Sequence, residues 1–289
     1  MSKIYLKARG KVNLTLNVLE KRLDGYHNLE SVFQKINLYD ELWVEKNNTG
    51  FLEIESNIEN VKLEDNIIYK AYICLKDEFP VIKGIKVKLI KKIPMQAGLA
   101  GGSTDCASFI LAVNKLYKLG LSKEKIELIS SKLGADVVPC LYNKAVKAQG
   151  IGEIITEIET DYKYYFVIIK PKIALSTKEM YNKIDKLEIN NINNTSNMIK
   201  ALKEKNLIAI ANNLYNSFEE VVKNENEILC AKEGLIKNGA INALLAGSGS
   251  CVFGIFKDKD LARRAYKNLK EKYEAYICTS YNSRRKSFE

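Results

Sequence analysis

A chain of 289 residues, 46% hydrophobic and 28% charged, has the proportions of a soluble globular protein and the length for one large domain or two ordinary ones. Its 45 lysines and arginines exceed 35 aspartates and glutamates, a formal charge of +10 that leans towards anionic partners. The lean is weak, because the basic residues are dispersed apart from 83–92 and the tail Arg284, Arg285 and Lys286. The opening MSKIYLKARGKVNLTLNVLE lacks the apolar block of a signal peptide, and no apolar run approaches the roughly 20 residues of a membrane-spanning helix. The six cysteines have no CxxC or clustered spacing, which argues against a disulfide framework or a zinc site and for reduced thiols. A cytoplasmic protein is expected.

In chain order, IYLKARGKVNLTLNVLEKR reads as one or two polar-alternating strands broken at Gly10, and LDGYHNLESVFQKINLYDELWVEK as an Asp-Gly turn followed by strand. FLEIES alternates again. IIYKAYICLKDEF places Ile67, Ile68, Ala71, Tyr72 and Leu75 on one side of a helix, and GIKVKLIKKIP alternates Ile85, Val87 and Leu89 until Pro94 ends the strand. STDCASFILAVNKLYKLG predicts a buried helix with Ser103 or Thr104 as N-cap and Asp105 in its positive first turn. SKEKIELISSKLG predicts a second, opened by Ser122, and GADVVPCLYN turns back into the core.

Beyond that point YKYYFVIIKP is an apolar strand, and STKEMYNKIDK and NTSNMIKALKEKNLIAIANNL are helical on either side of the Asn-rich link EINNINN, a solvated loop. NEILCAKEGLIKNG is a helix stopped by Asn238-Gly239, ALLAGSGSCVFGIFK is strand, glycine turn and strand, and LARRAYKNLKEKY is a helix before the strand AYICTS. Helices and strands mix without a strict βαβα rhythm, so the expected class is α+β in two domains, 1–160 and 161–289.

The densest chemistry lies in PMQAGLAGGSTDCA, residues 94–107, between a strand and a helix. It is either a packing turn or a phosphate cradle. Three familiar phosphate loops fail: no Lys follows the last glycine, the glycines do not have G-x-G-x-x-G spacing, and the single histidine, His27, is followed by Asn28 rather than opening an H-R-D. The physics still favours phosphate. A glycine loop opening a helix aims unpaired N–H groups and the positive dipole end at one spot, and glycine lets the backbone approach closely.

The stretch resembles the signature P-x-x-x-G-L-[GA]-x-[GS]-[ST] of the kinases named for galactokinase, homoserine kinase, mevalonate kinase and phosphomevalonate kinase, the GHMP kinases. ARGKVNLTLNVLEKRLDGYHNLES and KLGADVVPCLYNKAVKAQGIGE resemble elements of one branch, whose alcohol substrate carries a cytidine diphosphate group, and LLAGSGSCVFGIF resembles the late glycine motif. Order and spacing agree over nearly the whole chain. The departures are Ala100 for a commoner glycine, Thr104 for serine, Gln96-Ala97 for a small pair and Arg9-Gly10 for Pro-Ala.

The resemblance implies an N-terminal half like ribosomal protein S5 domain 2 and a ferredoxin-like C-terminal half, with the active site between them. It implies ATP with Mg²⁺, held at Pro94, Gly98, Leu99, Ala100, Gly101, Gly102, Ser103 and Thr104. It makes Asp136 the base that takes the alcohol proton and Lys11 the cation beside it, where an acid at a helix terminus and a solvated lysine are the plain alternatives. Asn13, two residues on along a strand, shares the face of Lys11 and is expected to contact substrate or base. The resemblance places His27 on the cytosine edge, with Tyr26 packing nearby. Tyr181 is the second aromatic on the base, or simply a core tyrosine. Gly247, Ser248 and Gly249 close on the alcohol side, or form a plain hairpin turn. No metal-ligating side chain is assigned, nothing fixes an oligomeric state, and neither nucleic acid nor membrane is an expected partner. The alternatives are a homoserine- or mevalonate-type kinase and an RNA-binding S5-like protein, which phosphate contacts without ATP turnover and a steep salt dependence would distinguish.

Overall fold

The computed structural model describes residues 3–58, 62–187, 194–283 and 288; most of the Asn-rich link and the basic tail at 284–286 lie outside the described residues. Two long antiparallel strands, β1 (Lys3–Lys21) and β2 (His27–Asn47), form the spine. Asp24 and Gly25 turn the chain between them, Gly25 at φ +86°. Around this ribbon lie β3 (Leu52–Ser56), α1 (Ile67–Glu78), β4 (Gly84–Ile90), α2 (Gly101–Tyr117), α3 (Lys123–Ser131), the single turn α4 (Val137–Cys140), β5 (Val146–Gly150) and β6 (Ile154–Glu157). The second half contributes β7 (Tyr165–Lys170), α5 (Thr177–Ile184), α6 (Thr195–Lys203), α7 (Leu207–Asn212), β8 (Tyr215–Asn216), α8 (Asn226–Lys237), β9 (Asn242–Leu245), β10 (Val252–Phe256), α9 (Lys259–Leu269) and β11 (Glu274–Thr279).

The first sheet runs β3-β4-β2-β1-β8, with β5 also on β2 and β6 on β5. Its helix-covered side holds one core, in which Ile68, Ala71, Tyr72 and Leu75 of α1 meet Ile85 and Val87 of β4 and Phe109 and Ile110 of α2. The second sheet runs β11-β7-β10-β9 with every pair antiparallel, the order of a ferredoxin-like βαββαβ unit. Val12, Leu14, Val32 and Ile36 of the first sheet share a core with Phe166, Ile168 and Phe253 of the second, so the halves pack directly. A third core lies under α8 and α9, on Val167, Ile169, Ala231, Leu235, Ala262 and Ala265. The arrangement is α+β, as expected.

Three local expectations need correction. Gly10 does not break the first strand; pairing slips by a bulge between Arg9 and Lys11 and continues. A Cβ on Gly10 would lie 3.3 Å from the Leu99 carbonyl, so glycine here admits the phosphate-loop backbone, and the Lys11 N–H donates to that carbonyl at 3.1 Å. Neither Ser103 nor Thr104 caps α2. The helix starts three or four residues earlier, at Gly101, with Ala100 in the left-handed region (φ +56°) as N-cap. The 194–214 segment is two helices, because Lys205 turns left-handed (φ +55°) and Asn206 caps α7 through the Ala209 N–H.

Candidate active site

Alternating polar and apolar residues normally mark a strand with one wet face. In β1 every residue from Gly10 to Val18 is buried. Val12 and Leu14 pack toward the second sheet, while Lys11 and Asn13 line a cavity of about 1190 Å³ between the halves. Lys11, 3% exposed, donates to Asn13 Oδ1 at 2.8 Å and stands 3.3 Å from Asp136 Oδ2, with its Nζ over the Phe33 ring at 4.8 Å. Asn13 in turn donates to Ser31 Oγ at 2.8 Å. Asp136 precedes α4 without capping it, so its carboxylate is left to face Lys11, and the side chain keeps 41% of its surface open to the cavity. The plain alternative, an aspartate spent on local helix-end bonds, does not describe this geometry.

The glycine loop forms the wall beside this pair. Pro94, Gly98, Leu99, Ala100, Gly101, Gly102 and Ser103 all border the cavity, with the first turn of α2 presenting N–H groups that have no intrahelical partner. Gly98 is irreplaceable on two counts: φ is +72°, and a Cβ there would fall 1.7 Å from the Ala246 carbonyl. That carbonyl belongs to the second glycine turn. Gly247, Ser248 and Gly249 also border the cavity and abut the phosphate loop backbone to backbone, Ser250 N–H reaching Gln96 O at 3.4 Å. Ser248 Oγ pairs with Thr177 Oγ1 at 2.7 Å, tying this turn to the start of α5.

Thr104, expected on the phosphates with its neighbours, does not border the cavity. Its N–H bonds to Ala100 O at 2.9 Å and its hydroxyl donates to Arg9 O at 2.7 Å, turning it into the protein. The reason is the earlier helix start, which places Thr104 on the buried face of the first full turn.

At the other end of the cavity Tyr181 of α5 forms a wall with Phe218, its ring edge-on to Phe218 at 5.0 Å. Burial, with a further push from the Asp136 charge, raises the Tyr181 phenol to about 12. His27 lies behind it, buried, stacked on Tyr181 with centroids 5.2 Å apart and planes at 20°. Its Nε2 stands 2.7 Å from Asp185 Oδ1, and Asp185 also pairs with Lys21. The Lys21 hydrogen bond, opposed by desolvation and aided by His27, draws the Asp185 carboxyl below its ordinary value. Of the three residues expected around the base, His27 at its edge with Tyr26 and Tyr181 beside it, Tyr181 borders the cavity, whereas His27 and the 60% exposed Tyr26 of the hairpin do not line it.

Several site residues escape a sequence reading. Asp185 looks like any acid after a helix. Lys91, beside the loop, pairs with Asp40 and with Asp105 Oδ2 at 2.6 Å. Asp105, expected to serve the helix dipole, is buried in that cluster, and desolvation raises its carboxyl well above the ordinary range despite Lys91. Asn66 and Ile67 line the same end, and there a sequence signal exists: Asn66 precedes the apolar run and caps α1 through the Ile68 N–H at 2.9 Å. Apolar walls with a few polar groups suit a nucleoside.

Two family models match the chain, "GHMP kinases N terminal domain" over residues 66–144 and "GHMP kinases C terminal" over 198–275. The chain belongs to the GHMP kinases, and is an enzyme of ATP-dependent phosphoryl transfer. A relative from Thermoanaerobacter pseudethanolicus, named 4-diphosphocytidyl-2-C-methyl-D-erythritol kinase, is 42% identical over 275 residues, 94% of each chain. One of the same name from Alkaliphilus metalliredigens is 37% identical over 288 residues, 99% of each. A crystal structure of 4-(cytidine 5'-diphospho)-2C-methyl-D-erythritol kinase superposes with a TM-score of 0.82 at 27% identity, covering 97% of this chain and all of that one. Among the described residues, no helix is long and apolar enough to cross a membrane.

Proposed function

We propose that this kinase transfers the γ-phosphoryl of ATP to the 2-hydroxyl of 4-diphosphocytidyl-2-C-methyl-D-erythritol, giving the 2-phosphate and ADP in the non-mevalonate route to isoprenoid precursors. The observation that carries the chemistry is the buried Lys11 held 3.3 Å from the half-open Asp136 beside the glycine loop. The names of the full-length relatives carry the substrate. Both substrates are polyanions, in keeping with a charge of +10.

Phosphoryl transfer asks a protein for positioning and charge neutralisation. Asp136 accepts the proton of the attacking hydroxyl while Lys11 orients the carboxylate and offsets charge growing on the transferred group. Asn13 holds Lys11 on the cavity side through its Oδ1. The loop from Gly98 to Ser103 holds the phosphates by backbone N–H groups. His27 reads the cytosine edge, using one ring nitrogen as donor or acceptor while Asp185 holds the other. Tyr181, which borders the cavity, packs on the base, and the turn at Gly247–Gly249 closes on the alcohol side.

Among the described residues no three acids or histidines gather into a metal cage. Mg²⁺ would fit this site as an ion brought in on the nucleotide, with the cavity-lining Ser103 hydroxyl the loop side chain able to hold it. It would supply charge neutralisation of the phosphates.

The test is ADP release with MgATP and the cytidyl substrate, run beside homoserine and mevalonate. Turnover confined to the cytidyl compound is expected. Turnover with another alcohol instead would retain the kinase and overturn the substrate.

A further inference from the structure

One buried cation has no place in the chemistry above. Lys35 lies opposite Lys11 in the β1–β2 register and is equally buried, at 3% exposure. Its Nζ donates to Arg9 O at 3.0 Å, to Cys140 O at 3.0 Å and to Thr104 Oγ1 at 3.4 Å. These are the three donors an ammonium has, and all three acceptors are neutral. The ionisable groups acting on it are the Cys140 thiol, Arg9 and Lys11, none of them a carboxylate, and burial lowers its pKa. An ammonium kept inside a protein without a counter-ion is costly. Costly arrangements persist where the geometry they hold is needed.

The acceptors show what is held. Arg9 sits at the β1 bulge immediately before Gly10 and Lys11. Cys140 ends α4, a helix of four residues, about 6 Å long, that begins just after Asp136. Thr104 lies in the first turn of α2, directly after the cavity-lining Gly101, Gly102 and Ser103, and its hydroxyl also donates to Arg9 O at 2.7 Å. The strand that carries the cation, the helix that carries the base and the helix that carries the phosphate loop therefore meet on one nitrogen. A cation on the C-terminal carbonyl of α4 is also where the helix dipole favours it.

We infer that Lys35 is a positioning residue for phosphoryl transfer: by binding Arg9, Cys140 and Thr104 it sets the spacing between Lys11, Asp136 and the glycine loop, without touching either substrate. The inference rests on reading Lys11 and Asp136 as the reacting pair. A shift of about 1 Å in such a pair can cost on the order of 100-fold in rate.

Lys35→Met keeps the side chain as far as Cε and removes the ammonium group. With MgATP and the cytidyl substrate, at a temperature well below melting, kcat is expected to fall at least tenfold while both KM values stay within threefold. A role in stability alone would lower the melting midpoint and leave kcat of the folded fraction unchanged, and that result overturns the inference. So does a loss expressed only in KM, which would make Lys35 a binding residue. A crystal structure of Lys35→Met separates this inference from the choice of substrate. The Lys11–Asp136 distance should open beyond 4 Å, and its persistence at the wild-type value sinks the idea whatever alcohol the enzyme takes. Should Lys35→Met not fold, Thr104→Val removes one acceptor at constant volume. A severalfold fall in kcat at constant KM for ATP supports the inference, and a rise in that KM with kcat unchanged places Thr104 on the nucleotide and overturns it.

Discussion

The two ends of the cavity are built differently. At the end we assign to phosphoryl transfer, Lys11, Asp136 and the glycine loop all come from the N-terminal half, with Lys11 bonded to Asn13 and Leu99 and 3.3 Å from Asp136. At the Tyr181 end, residues of the β1–β2 hairpin meet residues of α5 from the other half, and they satisfy one another: His27 with Asp185 and Tyr181, Lys21 with Asp185. On the proposed reading the first end serves the transition state, the use of binding energy that raises kcat. The second, a set of side chains bonded across the two halves, serves recognition of the base. Changes at the first end should act on kcat and changes at the second on KM.

The largest effect should come from the base. Asp136→Asn keeps shape and removes proton acceptance, so kcat should fall roughly 100- to 10,000-fold with the ATP dissociation constant nearly unchanged, because phosphates rest on the loop. Loss of ATP affinity with normal residual turnover, read by calorimetry and single-turnover assay, would move Asp136 from the chemistry to the nucleotide. The seam between the halves is next. Gly98→Ala forces a Cβ to 1.7 Å from the Ala246 carbonyl at φ +72°, and backbone atoms cannot swing aside as a side chain does. We expect it to cost about 2–4 kcal/mol of stability and to weaken ATP. Gly25→Ala is the matched control, because φ is +86° there but nothing lies within 4 Å of the added carbon. It should cost only the strain of that backbone, about 1 kcal/mol. Equal losses in thermal unfolding would show that conformation, not contact between the glycine turns, sets the requirement.

The contrast between the ends also explains what the sequence shows. Elements with a single dry face were legible: α1, β4 and α3 are marked by apolar period and by Asn66 and Ser122 at their starts. Alternation alone breaks β1 at Gly10, because a bulge is invisible in such a pattern. Nor does alternation show that both faces are covered from Gly10 to Val18. The clue there is residue type: Asn13, Thr15 and Asn17 are short polar groups suited to internal bonds, and Asn17 and Thr15 both meet Thr195 from the other half. Only motif resemblance singles out Lys11 and Asp136, which the fold brings to 3.3 Å, since no spacing joins positions so far apart in sequence. Lys35, Lys91 and Asp185 were missed for the matching reason. Among 45 basic and 35 acidic residues, which charges are buried depends on tertiary contacts that leave no local pattern.

At the recognition end effects should be smaller and confined to one substrate. His27→Ala should raise KM for the cytidyl compound about tenfold, the worth of roughly 1.4 kcal/mol, with KM for ATP unmoved. Asp185→Asn, which leaves the ring in place but loosens its orientation, should raise it only about threefold. An unchanged KM in both variants would remove His27 from base recognition. A fall in KM for Asp185→Asn would mean instead that Asp185 competes with the base for His27 and is released on binding.

The smallest effect concerns the clasp itself. Lys21 and Asp185 are 52% and 25% exposed, so solvent screens their attraction and Lys21→Met should cost only about 0.2–1 kcal/mol. Its pH dependence follows from the direction of the Asp185 shift. The carboxyl is depressed in the folded protein by the Lys21 hydrogen bond first and His27 after it, with desolvation opposing. The unfolded chain therefore takes up the proton first as pH falls. The stabilisation is present in full above the ordinary aspartate value of about 3.9 and is lost as pH drops through the lower folded value. The difference in melting midpoint between wild type and Lys21→Met should thus be constant from pH 8 to pH 5, shrink in 0.5 M salt, and vanish in stronger acid. A difference that instead disappears above pH 5 would show that the Lys21–Asp185 pair is not what holds the hairpin to the end of α5.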